Sequence, residues 1–319
     1  MQDADFGGAT LAGDATFDGA RFQWGVSLGP ILVCSRLSLD RAIFAGRAKI
    51  VASALRASFT ETEFRRGVDL QLRWAEVWLR DTDFAAESLL TSLSGPQTPT
   101  SGGEQPLLGF EMPTDDGAWC CPRSREPSPH AEPRLLTLRG SRVARLTLSG
   151  VNLNECLFAG AHGLDALQLE RVEFPRSPDG WRPIRWTRRE TIADEHDWHA
   201  RRSKASGWKQ ARTPVQTDSD VSWPPEPAAK LQATELASVY RQLRKSREDS
   251  RDEPGANDFY YGEMEMRRHS GPRAERSILW AYWLFAGYGL RASRALLALV
   301  TVILVGAIPL AFWGFHPPR

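Results

Sequence analysis

The chain has 319 residues, 42% of them hydrophobic and 25% charged, which is typical of soluble globular proteins and enough for two domains. Forty basic and thirty-nine acidic residues leave a formal net charge of +1, which argues against a dedicated nucleic-acid binder. The cysteines (Cys34, Cys120, Cys121 and Cys156) have no paired spacing, so the sequence indicates neither a disulfide scaffold nor a zinc module.

A five-residue period runs through the N-terminal part of the chain. A large apolar residue recurs at every fifth position, usually with a small residue two positions before it. The period blurs between residues 25 and 40 and is kept without slippage in a second block, where Gly163 occupies the slot after Phe158. We predict that the periodic residues form a core: Phe6, Leu11, Phe17, Phe22, Phe44, Phe59, Phe64, Leu79, Phe84, Leu148, Leu153, Phe158 and Phe174.

A period of five fits neither a helix nor a flat strand, so the chain must turn a corner once in each repeat. Stacked turns then pair their backbones at roughly 4.8 Å. The pattern resembles the pentapeptide-repeat family, and that resemblance implies a right-handed quadrilateral β-helix with four pentads per coil. It implies a mainly β solenoid with a first block over 1–90, of roughly four coils, and a second over 134–174, of about two.

The outward positions of the repeat indicate what the solenoid does not bind. Some pentapeptide-repeat proteins are strongly acidic, DNA-like rods that bind topoisomerases. Residues 1–90 carry 12 acidic and 10 basic residues, so this physical basis is lacking. We therefore expect no nucleic-acid partner and no mimicry of one. Cys156 occupies a small inward slot, where packing is the favoured role.

Residues 91–133 interrupt the repeat with a run rich in Pro, Ser, Gly and Thr. Such a composition buries too little apolar area to offset chain entropy, which predicts a disordered insertion. Adjacent Cys120 and Cys121, with His130 nearby, could suggest a metal site. Neighbouring cysteines alone do not make tetrahedral geometry, so we do not favour it.

Residues 175–230 are predicted to be a Trp- and Pro-rich linker with one helix over about 187–204. This helix places His196 and His199 on one face, with acidic residues around them. One interpretation is a metal or acid–base pair. The favoured interpretation is a polar helix face with opposite charges at i,i+3 and i,i+4 spacing, because no third ligand is identifiable.

Residues 231–270 have a helical period and predict a helical hairpin, joined at Pro254 and Gly255. The stretch from Tyr240 to Arg268 resembles the region before the membrane segments of actinobacterial pentapeptide-repeat membrane proteins. This resemblance implies no catalytic residues.

The segment 295–315 contains no charged side chain and predicts a transmembrane helix, because about 20 apolar residues cross a bilayer core. Trp313 lies at one end, and Trp280 and Trp283 precede the other, as in an aromatic belt. The prediction is a single-pass cell-membrane protein.

The juxtamembrane segment 271–294 contains a second apolar run, 278–290, which is too short to cross a bilayer. We predict an interfacial helix, with a re-entrant element as the alternative. Arg291 and Arg294 are expected either to meet lipid phosphates or only to set topology. Since the arginines cluster before the transmembrane segment, the positive-inside rule puts the N-terminal domain in the cytoplasm.

These features predict a non-enzymatic protein that presents a β-helix at the membrane to an unidentified protein partner. The alternative is the N-terminal part of an oligomeric channel or transporter-like protein. A lone helix cannot line a pore, so this alternative needs a homo-oligomer or further sequence. No phosphate-binding glycine loop, nucleophile elbow or credible ligand set is present, so we expect no enzyme activity, cofactor or metal.

Overall fold

The computed structural model describes residues 6–93, 132–178, 188–202, 208, 231–290 and 292–313, with side chains in the last range described for 295–308. The chain forms a β-solenoid of about six turns followed by helices. The solenoid predicted from the five-residue period is confirmed at this level.

The strands and helices follow one another without interleaving. The strands are β1 (Thr10–Leu11), β2 (Ala15–Thr16), β3 (Arg21–Phe22), β4 (Val26–Ser38), β5 (Ile43–Phe44), β6 (Ala48–Ser58), β7 (Glu63–Phe64), β8 (Val68–Arg73), β9 (Glu76–Trp78), β10 (Asp83–Phe84), β11 (Ser88–Ser92), β12 (Arg134–Thr137), β13 (Leu146–Ser149) and β14 (Gln168–Glu170). The helices are α1 (Ala193–Arg202), α2 (Ala233–Asp249), α3 (Glu253–Ser270), α4 (Arg273–Ala286) and α5 (Ala292–Trp313).

The strands pair in parallel with a register of one coil. Ala48 lies opposite Val68, and Asp69 lies opposite Leu89, in each case four repeats further along the chain. Because the register is a whole number of repeats, side chains in the same slot stack from coil to coil. The backbone groups of each coil are satisfied by the neighbouring coils, as in other stacked repeat proteins.

The blurred stretch of the repeat corresponds to a real irregularity in β4. Arg36 lies opposite Arg56, four repeats further on, whereas Val26 lies opposite Ala48, two positions beyond four repeats. Two register shifts within β4 absorb the difference, one of them at the Gly29–Pro30 peptide. Extra residues bulge out of a strand without breaking the ladder, so the solenoid continues.

The two predicted blocks form one continuous solenoid. Arg134 pairs with Glu76, and Leu146 pairs with Ser88, so the second block stacks directly on the first. The sequence separation of each pair equals one coil of four repeats plus the segment 94–131. Residues 94–131, which make up most of the predicted disordered insertion, lie outside the described residues.

The buried side chains of the solenoid and of the cap form one contiguous core, and within the solenoid they are stacked in columns. The rings of Phe22, Phe44, Phe64 and Phe84 lie one above another, with neighbouring centroids 4.6, 5.0 and 5.5 Å apart. The slot after Phe158 is filled by buried Leu164 rather than by Gly163, which has a φ of 78°. The extra residue therefore lies between Phe158 and Leu164, one repeat earlier than predicted.

Helices α1–α3 cover the C-terminal end of the solenoid. The Phe158 ring stacks on Phe174, which meets Phe259 of α3 edge-on at 5.1 Å. The Ser246 hydroxyl of α2 donates to the carbonyl of Leu167 in the last coil. Solenoid ends expose apolar side chains and unpaired strand edges, and such helices supply the cap that repeat proteins need.

Helices α2 and α3 are antiparallel and joined by a short turn. Asp252 accepts a hydrogen bond from the Gly255 N–H at 3.2 Å and caps α3. Pro254 and Gly255 therefore lie in the first turn of α3, not in the predicted turn, because proline fits a helix start. Gly262 allows the close approach of the helices, since a Cβ there would lie 2.6 Å from Cε1 of Tyr240.

The described part of 175–230 differs from the predicted linker. Residues 175–178 and 188–192 form an antiparallel contact, in which the Thr191 N–H donates to the Pro175 carbonyl at 2.8 Å. Helix α1 then buries Asp194, Glu195 and Trp198. These residues belong to the cap, because their partners come from the solenoid, from α2 and, for Trp198, from His269 of α3.

Helices α4 and α5 complete the described chain and expose large apolar side chains. Among the described residues, no helix combines the length and the hydropathy required of a membrane span. The transmembrane helix predicted over 295–315 is thus not supported by the fold and stays a prediction.

Candidate functional site

The predicted repeat residues all lie in or against the solenoid core. Those beyond the first coil are buried, and the four of the first coil are partly buried. The buried ones are Phe44, Phe59, Phe64, Leu79, Phe84, Leu148, Leu153, Phe158 and Phe174, and the partly buried ones are Phe6, Leu11, Phe17 and Phe22. They shape the solenoid, and its outer surface is formed by the residues between them.

One side of the solenoid carries an outward row of mixed charge. Glu63 and Asp83 stack on consecutive coils, followed by Arg142. Arg65 pairs with Glu63 at 3.0 Å, and Arg142 pairs with Asp83 at 3.3 Å. The row contains both signs, so this side offers a mixed charge pattern rather than a uniform field.

A buried ionic cluster holds α1 in the cap. Glu195 is fully buried and accepts hydrogen bonds from the Arg189 guanidinium and from the Tyr240 hydroxyl of α2. His199 Nε2 lies 3.4 Å from the same carboxylate. The Tyr240 oxygen also accepts the Ile192 N–H at 3.1 Å. The cluster therefore satisfies one carboxylate from three directions and joins α1 to α2.

A second buried carboxylate joins α1 to the solenoid. Asp194 lies 3.3 Å from the Arg139 guanidinium and accepts the Phe158 N–H at 2.6 Å. Burial raises the pKa of Asp194, and its two partners offset that only in part. Two consecutive acidic residues of α1 therefore contact different parts of the protein. Asp194 contacts the last coils of the solenoid, and Glu195 contacts α2.

The ionisable groups of the Glu195 cluster shift one another's pKa. Burial alone would raise the pKa of Glu195, but Arg189 and the hydrogen bonds from His199 and Tyr240 lower it below its ordinary value. Burial and the adjacent carboxylate raise the pKa of Tyr240. Arg189, Glu195 and Tyr240 therefore remain cation, anion and neutral phenol, which is the arrangement of a structural ion pair.

The two histidines singled out in the sequence lie beside aromatic rings. His199 stacks on Trp208 with centroids 4.3 Å apart, and Trp208 also meets His196 edge-on at 4.8 Å. His196 Nε2 is 2.8 Å from the Thr191 hydroxyl. In the described ranges, no group of three or more His, Cys, Asp or Glu side chains is arranged to hold a metal ion. Cys120, Cys121 and His130 of the other weighed metal site lie outside them.

Tyrosine and tryptophan side chains attach α4 to α3. Trp283 Nε1 donates to the Tyr261 hydroxyl at 2.8 Å, and the Tyr288 hydroxyl donates to Glu265 at 3.2 Å. Arg268 also binds Glu265, and its guanidinium lies 5.3 Å from the centroid of the Trp283 ring. Apart from the Arg268–Glu265 pair within α3, each contact joins a residue of α3 to a residue of α4 or of the turn after it, so α4 has a fixed position on the cap.

Glu265 should make the stability of this junction depend on pH. Burial alone would raise its pKa, but His269 and Arg268 lower it from 4.5 to about 2. Its contribution is therefore fully present above about pH 4.5 and is lost as the pH falls toward 2, up to about 3 kcal/mol.

Urea unfolding at several pH values should show this as a gap between the parent chain and Glu265→Gln. We expect the gap to be largest near neutral pH and to close as pH approaches 2. Glu248→Gln, at a carboxylate that is more than half exposed, is the matched control and should stay close to the parent throughout. A gap for Glu265→Gln that does not change with pH would contradict the assignment.

The predicted membrane-flanking residues do not form one group. Trp280 is exposed on α4, whereas Trp283 is half-buried against α3. Arg291 lies outside the described residues, and so do the side chains of Arg294 and Trp313. The structure thus separates the two tryptophans of α4, one on the protein side and one on the exposed side.

The chain matches no protein-family model, no curated protein and no solved structure. The resemblance to pentapeptide-repeat proteins therefore rests on two features of the sequence, the five-residue period and the stretch from Tyr240 to Arg268. It remains untested.

Proposed function

We propose that the protein is a membrane-anchored, non-enzymatic member of the pentapeptide-repeat family. In this proposal its solenoid is the right-handed quadrilateral β-helix of that family. A coil length of four repeats supports it. So does the burial of one large apolar residue in each repeat of the regular coils.

The anchor in this proposal is the segment 295–315, with α4 as an interfacial helix. Its support is the absence of charge from this segment and the exposure of apolar side chains on α5. The exposed ones on α5 are Leu296, Leu297, Leu299, Val300, Val302, Ile303, Leu304, Val305 and Ile308. An apolar helix that is exposed on all its sides needs a lipid or protein environment.

The membrane topology follows from the arginines. Six precede the apolar segment within the stretch after residue 266, and one follows it at Arg319. The positive-inside rule then puts the solenoid in the cytoplasm, at the inner leaflet.

The role of the solenoid in this proposal is to bind a partner protein. The observation that carries it is a rigid, capped solenoid joined to two exposed apolar helices, which is the arrangement of a scaffold held at a surface. Glu63, Asp83 and Arg142 form an outward row with one residue on each coil. A protein with complementary charges could bind to this row.

Alkaline carbonate extraction of membranes tests the anchor. We expect the full chain to stay in the pellet, because a spanning helix resists the wash. A chain ending at Gly271, which lacks α4 and α5, should be released.

A chain ending at Leu290 retains α4 and is the matched control. It should bind membranes at neutral pH and be washed off by carbonate, because an interfacial helix is held more weakly than a spanning one. Release of the full chain by carbonate would contradict the anchor, and retention of the chain ending at Leu290 would assign it to α4 instead of α5.

A further inference from the structure

Helix α4 has two apolar sides that face different surroundings. Leu279 and Trp283, one helical turn apart, pack against Tyr261, Met264 and Tyr288. This side is held by the Trp283–Tyr261 hydrogen bond and by the Arg268 contact already described. The opposite side therefore has a fixed direction relative to the cap and to the solenoid behind it.

The opposite side of α4 is apolar and exposed. Ile278 is 69% exposed, Phe285 is 55% exposed and Trp280 is 51% exposed. Ile278 and Phe285 are two helical turns apart and so lie on one face, with Leu284 beside them. A continuous apolar patch of this kind marks an interaction surface rather than a solvated one.

The charges at the start of α4 indicate the chemistry of what covers it. Arg273 and Arg276 are both exposed in the first turn, but Arg276 lies on the Trp283 side of the helix and donates to the His269 carbonyl at 3.5 Å. Arg273 lies on the same side of the helix as Trp280 and Leu284, which follow it by two and three helical turns. Glu275 is exposed as well and lies one helical turn before Leu279, on the inner side of the helix. A cation at one end of an apolar, aromatic stripe is the pattern of a helix that lies on an anionic membrane.

We propose that the outward side of α4 is a docking surface for anionic phospholipid, with Arg273 binding a headgroup and Ile278, Trp280 and Phe285 entering the acyl boundary. This inference rests on the proposed anchor and goes beyond it. Because α4 is attached to α3 through its inner side, docking holds the solenoid at one orientation to the bilayer. A second copy of the chain is the competing occupant of the patch.

Fluorine NMR of the full chain in lipid nanodiscs tests the surface. The protein is labelled with 5-fluorotryptophan, and the Trp280 and Trp24 signals are assigned from Trp280→Phe and Trp24→Phe. Trp24 is 77% exposed on the solenoid, far along the sequence from α4, and is the matched control in the same sample. Lipid with a nitroxide near the headgroup broadens signals close to the bilayer, and an aqueous gadolinium chelate broadens those in water.

With about 30% phosphatidylglycerol in phosphatidylcholine, we expect the lipid nitroxide to broaden Trp280 and to leave Trp24 sharp. The chelate should do the reverse. Discs of phosphatidylcholine alone, or the variant R273Q in the mixed discs, should lower the docked fraction relative to the free one on the order of fivefold. R47Q/R145Q, which changes two exposed arginines of the solenoid, should have no effect.

Three results would overturn the inference, and each is distinct. Broadening of Trp280 by the chelate, in a protein that stays with the discs through carbonate, places α4 in water while the anchor stands. Protection of Trp280 from both agents, with two chains per disc, assigns the surface to a second copy. Loss of the protein from the discs in carbonate removes the anchor and this inference together.

Discussion

Replacing Glu195 by alanine is expected to lower the free energy of unfolding by about 3–5 kcal/mol, because it leaves the buried charge of Arg189 without its counter-ion. Arg189 is 5% exposed, and its Nε and Nη1 atoms have no hydrogen-bond partner among the described residues. The Tyr240 hydroxyl would also lose its acceptor. Urea unfolding in mild detergent, followed by tryptophan fluorescence, measures the loss.

Two control variants show whether the loss comes from the unpaired charge. Glu63→Ala breaks an exposed ion pair with Arg65 and should cost less than about 1 kcal/mol. The double variant R189M/E195L removes both charges and should recover most of the stability lost in Glu195→Ala. Equal losses for Glu195→Ala and Glu63→Ala would contradict the buried cluster as the element that holds α1.

The five-residue period was sufficient to predict the solenoid because one physical requirement produces both. A chain that buries a large residue once per repeat and turns between repeats can satisfy its backbone only by stacking coils. Even the failure of the pattern between residues 25 and 40 was informative, since β4 contains two register shifts there. The misplaced slot at Gly163 shows the limit, because a single inserted residue leaves no mark until the next repeat.

The cap could not be predicted from the same sequence. Balanced acidic and basic residues on a short helix usually indicate a solvated face, yet Asp194 and Glu195 are fully buried. Their partners Arg139 and Tyr240 are distant in the sequence, with separations of 55 and 45 positions. Spacing within α1 carries no information about such distant partners, so neither Arg139 nor Tyr240 was among the candidate site residues.

The division of α4 into two sides was also beyond the sequence. The run 278–290 is apolar all round, so a helical period alone cannot distinguish a protein side from an exposed side. The aromatic residues of α3, Tyr261 above all, make the distinction, because Trp283 finds its hydrogen-bond acceptor there. Composition alone predicted an interfacial helix. The contacts with α3 add which side of that helix is exposed and therefore available to lipid.

Replacing Phe64 by alanine should destabilise the solenoid by about 3–5 kcal/mol, because it opens a cavity inside the phenylalanine column. Phe64 is fully buried between Phe44 and Phe84, whose centroids lie 5.0 and 5.5 Å from its own. Ring contacts are lost on both sides, and a stack held by the backbone ladder above and below has little freedom to collapse. Urea unfolding in mild detergent measures the change.

Two positions of the same sheet provide matched controls for Phe64→Ala. Phe22 lies at the end of the column and is only partly buried, so Phe22→Ala should cost about half as much. Ile43 precedes Phe44 in β5 and points outward, opposite Glu63, so Ile43→Ala should cost less than about 1 kcal/mol. Each coil is stabilised chiefly by its neighbours, so a central residue contributes to two coil interfaces and an end residue to one. Equal losses at Phe64 and Phe22 would mean that the column does not unfold as stacked coils with nearest-neighbour coupling.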